Sequence, residues 1–157
     1  MTNASASETS KTRLGLRVFA IILAIVTMSI FGASWRNRAW VYYIVAGIPG
    51  IWSLINVVLI AFKRPAHPGA HIALDLIFTA DLWFFGFFGL LGESMSYEKG
   101  YSRVSLRAML IAALSLMIFN GLLHFVHFVL GCCDVHWRRH ALSVDHNPRK
   151  GDIEDSV

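Results

Sequence analysis

Cysteine is nearly missing from this 157-residue chain: there are two, Cys132 and Cys133, and they are neighbours. Adjacent cysteines cannot staple distant loops, so a disulfide-built extracellular scaffold is excluded. Charge is also scarce, at 15% of residues against about a quarter in soluble chains. No glycine-rich phosphate loop, nucleophile elbow or zinc-protease motif occurs, and none of the reaction classes that depend on them is indicated. The 14 basic residues are not gathered into a stripe with interleaved aromatics, which argues against nucleic acid as a partner. What is abundant is apolar surface. Apolar residues make up 55% of the chain and mean hydropathy is +0.55, more than a soluble domain of this length can bury.

That apolar content falls into four stretches, Leu14 to Ser34, Tyr42 to Phe62, Ala70 to Leu91 and Leu106 to Gly131. A spanning helix needs about 20 residues, so each stretch is long enough to cross a bilayer. The expected fold is all-α, an integral-membrane four-helix bundle over 14–133 with short loops. The flanking segments, 1–13 and 134–157, read as cytoplasmic tails; the first, rich in Ser and Thr, and Ser143 to Val157 of the second, mixing charges with Pro148, read as disordered. The first span also has the basic lead and small residues of a secretory signal. Its apolar core, Val18 to Ala33, exceeds the usual length of about 7 to 15 residues, which favours a retained anchor.

Basic residues sit at the ends of the spans and can be counted by side. Lys11, Arg13, Arg17, Lys63, Arg64, Arg138, Arg139, Arg149 and Lys150 flank one side; Arg36, Arg38, Lys99, Arg103 and Arg107 flank the other. The excess on the first side predicts both termini in the cytoplasm. Multi-pass membrane insertion follows from the sequence, whereas the particular membrane does not.

Helical phase separates inside from outside. In the third span His71, Asp75, Phe78, Leu82, Gly86 and Gly89 recur at spacings of three and four, while Ala80, Trp83, Phe84, Phe87 and Leu91 cover the opposite, lipid-facing side. In the fourth span Ala113, Met117, Asn120, His124, His127 and Gly131 form one stripe that lipid would penalise, so it points inward. Small residues on these faces and at Gly47, Gly50 and Ser53 of the second span allow close helix approach, within the bundle, with another membrane protein or with a second copy of the chain. Lipids are the remaining expected partner.

Depth then gathers Arg17, Asn56, Asp75, His124 and His127 into one polar layer near the cytoplasmic boundary, each helix contributing. An ionised Asp75 in hydrocarbon requires a partner, and Arg17 or a histidine of the fourth span is expected to supply it. The layer reads as an interhelical clamp, or alternatively as a proton or ligand site. Asp81 is the deepest acid, with no cation of the chain at its depth; it reads as a neutral carboxyl bonded to Thr27, Ser53 or Asn120, or as a transport or proton-relay residue. Cys132 and Cys133, beside Trp137, Arg138 and Arg139 at the predicted cytoplasmic end of the last span, are candidates for S-palmitoylation or simply small helix-end residues.

His71 with His127, and the run His124, His127, Cys132, Cys133 and His136, raise haem or metal ligation. The spacing lacks the paired repeat of a structural zinc site, and no cofactor is expected.

With its four spans, short cysteine-free loops, a basic residue entering the first span at Arg13 or Arg17, and a third span opening His71-Ile72-Ala73-Leu74-Asp75-Leu76, the chain resembles the MARVEL-type tetraspanning proteins, in particular their small fungal members. The resemblance covers about Leu14 to Cys133. It implies a non-enzymatic organiser or scaffold of membrane domains or vesicle traffic, without catalytic residues. The alternatives open at this point are a small proton-coupled transporter using Asp81 and Asp75, and a haem-binding membrane redox protein.

Overall fold

The computed structural model describes residues 3–33, 39–62, 67–95 and 104–145. They form four helices: α1 Asn3–Ala33, α2 Ala39–Ala61, α3 Pro68–Met95 and α4 Val104–Asp145. Within them lie four segments long and apolar enough to cross a membrane, Lys11–Ala33, Trp40–Ala61, Gly69–Ser94 and Arg107–Trp137. The chain is an all-α, multi-pass membrane protein.

Successive helices run antiparallel. The start of α1 meets the end of α4 where Arg13 donates to the Leu130 carbonyl at 3.2 Å. The start of α2 meets the end of α1 where Tyr43 lies against Gly32. The described ends of the chain therefore share one end of the bundle, here termed the tail end. Helices α1 and α2 form one tight pair and α3 and α4 the other; α1 and α4 join the pairs, and of helices consecutive in the chain α2 and α3 touch least.

The α3–α4 contact is close because glycines lie in it. A Cβ on Gly86 would stand 2.6 Å from Ile118 Cγ1, and one on Gly121 would stand 2.6 Å from Trp83 Cδ1. Without a hydrophobic drive between helices in lipid, such close approach supplies the packing that holds them. The larger apolar cluster of the interior is built from Phe31, Val45, Ala46, Leu82, Ala113, Leu114 and Met117. A smaller cluster of Ala20, Leu23 and Leu123 joins α1 to α4 nearer the tails.

Two expectations need correction. Residues 3–13 and 134–145, read as tails with 3–13 and 143–145 disordered, continue α1 and α4 as helix. Neither segment contains glycine or proline, so a helix already nucleated in the span extends at little cost. A contact between Arg13 and Asp134 at 3.6 Å also ties the two extensions together. The remainder of the C-terminal tail, 146–157, lies outside the described residues, as does the loop core 96–103. The second correction concerns Trp83, assigned above to the lipid face. It is half-buried against Gly121, and its indole N–H donates to the Ile118 carbonyl at 3.1 Å. A tryptophan has an apolar body and one donor, and the room left by a missing Cβ on α4 lets both be used.

Candidate functional site

The polar layer is built on three helices and centred on Asp75. Alternation along α3 places Asp75, Phe78, Leu82, Gly86 and Gly89 inward, and all five are buried. Asp75 is 1% exposed, so each carboxylate oxygen must find its partner within the protein. Arg17 of α1 supplies a two-pronged contact, Nη1 to Oδ1 at 2.7 Å and Nη2 to Oδ2. Two parallel donors from a planar guanidinium match the geometry of a carboxylate, which a lysine at this position would not reproduce. From α4, His124 Nδ1 lies 3.0 Å from Oδ1.

This arrangement connects helices that otherwise meet little. Arg17 reaches across the bundle from α1 to α3, while His124 reinforces the α3–α4 pair. Around the carboxylate, Phe78 packs edge-on to His124 with ring centres 5.7 Å apart, and Trp52 of α2 lies 6.4 Å from Phe78. Thr79 returns its hydroxyl to the Asp75 carbonyl at 2.7 Å. Aromatic rings and backbone thus exclude water from the ion pair on the α2 and α3 sides.

Asn56 and His127 belong to the layer less directly. Both are buried as expected. The Asn56 amide donates back to its own helix at the Trp52 carbonyl, 2.9 Å away, and its Oδ1 has no partner. The His127 ring centre lies 6.5 Å from that of His124, and its Nε2 is also unpartnered. The clamp is therefore Arg17, Asp75 and His124, with Asn56 and His127 beside it.

A second polar contact closes the tail end. Arg13 joins both the Leu130 carbonyl and Asp134, so α1 presents two arginines one turn apart to α3 and α4. Asp134 is a partner that the apolar pattern concealed, because it lies just past the last apolar run. Its position opposite Arg13 on an antiparallel helix is the signal that would have found it.

Asp81 stands apart. It lies at the middle of the span Gly69–Ser94 and is half-buried. Among the described residues it has no hydrogen-bond or ion-pair partner. Thr27, Ser53 and Asn120, expected as its partners, are buried, yet the Oγ1, Oγ and Oδ1 atoms of these three are unpartnered as well. The inner polar atoms and Asp81 are thus separate features.

Among the described residues no three His, Cys, Asp or Glu side chains come together in a way suited to a metal ion. His71 packs beside Trp52 with ring centres 5.5 Å apart, and His124 is engaged with Asp75. Cys132 and Cys133 are both free and exposed, the accessibility that acylation requires. On the outer face of α3 and α4, Trp83, Phe87, Ser115, Ile118, Phe119 and Leu122 line a shallow apolar groove of about 340 Å³.

Comparison of the chain with known protein families, curated proteins and solved structures gives no match.

Proposed function

We propose that this membrane protein is a non-enzymatic organiser or scaffold of membrane domains or vesicle traffic, of the MARVEL-like type, with both termini in the cytoplasm. The observation that carries the reading is the use made of Arg17, Asp75 and His124. These ionisable groups, the most costly to place in a membrane, hold helices to one another. A site that cycles protons or binds a solute must break and remake such contacts, whereas a scaffold needs them kept. The outer face supports the same reading. Ile22, Ile25, Ile51, Leu54, Phe84, Phe87 and Phe88 stand exposed there, an apolar surface suited to lipid and to other membrane helices.

One observation favours a second reading, a small proton-coupled carrier using Asp81 and Asp75. Thr27, Ser53 and Asn120 present buried polar atoms without partners, a composition compatible with a path for water or solute. Vesicles carrying a pH gradient separate the two readings. A scaffold leaves the gradient decaying at the rate of protein-free vesicles and, in its native membrane, is concentrated in patches by single-molecule imaging. Gradient decay that rises with protein density and is abolished by Asp81→Asn would replace the scaffold with the carrier.

A further inference from the structure

Asp81 bears on what the scaffold holds. Leu74, Phe78, Asp81 and Phe85 follow one another at spacings of four, three and four and so share one flank of α3. Two of them fix the direction of that flank. Phe78 meets Trp52 of α2, Phe85 packs on the core cluster to which α2 contributes Val45 and Ala46, and on the adjoining face a Cβ at Gly89 would stand 3.3 Å from Tyr42 Oη of α2. The flank therefore faces α2, with which α3 is in much less contact than with α4. On its outer side are Ile77, Phe84 and Phe88, all exposed, with Ile48 and Ile55 of α2 exposed on the flank that carries Trp52. Asp81 is thus an acid at mid-span in a loosely closed seam with apolar walls.

Such an acid is costly in lipid unless a donor reaches it. Among the described residues no cation is placed to do so. Every lysine and arginine within or beside the spans lies towards a span end, and His71, His124 and His127 belong to the tail-end layer. A second copy of the chain has the same arrangement and cannot supply a cation at this depth either. Charge complementarity then points to a different protein.

We propose that the α2–α3 seam is a docking site for a transmembrane helix of another protein carrying a lysine or arginine near the middle of its span, with Asp81 as the acceptor. The inference rests on the organiser reading and gives the chemistry of the organised partner. The apolar walls supply packing, and the buried ion pair selects one class of helix, because an all-apolar helix leaves Asp81 unpaired.

The full chain in phosphatidylcholine vesicles, labelled for energy transfer, tests this against three synthetic spanning helices of leucine and alanine: one with a central lysine, one with the lysine near its end, and one without lysine. The central-lysine helix is expected to associate about tenfold more tightly than the other two. Asp81→Leu and the near-isosteric Asp81→Asn should each remove that preference, and Asp81→Glu should keep it. Circular dichroism and an unchanged tryptophan emission spectrum check that the variants fold. Equal association of all three helices, a preference that survives Asp81→Asn, or self-association of the chain through Asp81 in place of helix binding would each overturn the proposal. Should the lysine helix fail while the protein still gathers in membrane patches and leaves a pH gradient intact, the partner chemistry falls and the organiser reading stands.

Discussion

At the scale of single residues the structure turns on Asp75, whose two oxygens are engaged by Arg17 from one side and His124 from the other. Asp75→Ala leaves a buried guanidinium without its acceptor, and the expected loss of stability is about 1–3 kcal/mol. Coupling energies within membranes are smaller, about 0.6 kcal/mol on average and up to about 1.7. Double-mutant cycles in bilayers should therefore show clear coupling for Asp75→Asn with Arg17→Gln and with His124→Gln, and additivity for Asp75→Asn with His127→Gln. Additivity in the first two cycles would remove the clamp. Much of this site was legible in the sequence, because hydrocarbon penalises an unpaired charge so strongly that phase and depth alone bring Arg17, Asp75 and His124 together. The roles of Asn56 and His127 were not legible. Both lie beside the layer, but an amide can satisfy itself on its own helix, and His127, nearly a turn from His124 along the same stripe, does not reach the carboxylate.

At the scale of helices, glycine sets which faces meet. Gly86→Leu places a branched side chain where even a Cβ would stand 2.6 Å from Ile118. The α3–α4 pair must then separate, and His124 moves with it. Overpacking of this kind costs about 1–3 kcal/mol. Steric-trap or denaturant unfolding of Gly86→Leu should show that loss, while Gly92→Leu, at an open position, should be close to neutral. An unaltered Gly86→Leu protein would mean that α3 and α4 are not held by close approach. The inward faces of α3 and α4 were readable from spacing alone, since lipid sorts residues by face as cleanly as water does. The ends of α1 and α4 were not. Composition marks Asn3–Arg13 and Asp134–Asp145 as polar, but polarity does not stop a helix once its span is formed. The contact that joins them, Arg13 to Asp134, depends on which helices are neighbours. Trp83 failed as a lipid-facing assignment for a related reason: the space it fills is made by Gly121 on another helix.

At the scale of the whole molecule, four antiparallel spans bring both described ends of the chain to one side, and the clamp lies on that side. The α2–α3 seam is the place where the bundle is least closed, and Asp81 lies in it. Span number, approximate boundaries and membrane class followed from hydropathy because apolar length is a demand the bilayer makes directly. Neither the pairing of α1 with α2 and α3 with α4 nor the loose seam could be read from one sequence, because each depends on side-chain fit between helices far apart in the chain. The bundle's layout is decided by the topology of the chain in its native membrane. Protease-cleavable tags placed at each terminus, and a third between Tyr97 and Tyr101, report this when intact cells are compared with selectively permeabilised ones. Both terminal tags should be cut only after the cytoplasm is opened, and the third should be cut from the opposite side of the same membrane. Terminal tags on opposite sides would mean an odd number of spans, and a bundle with Arg17, Asp75 and His124 at one depth would be contradicted.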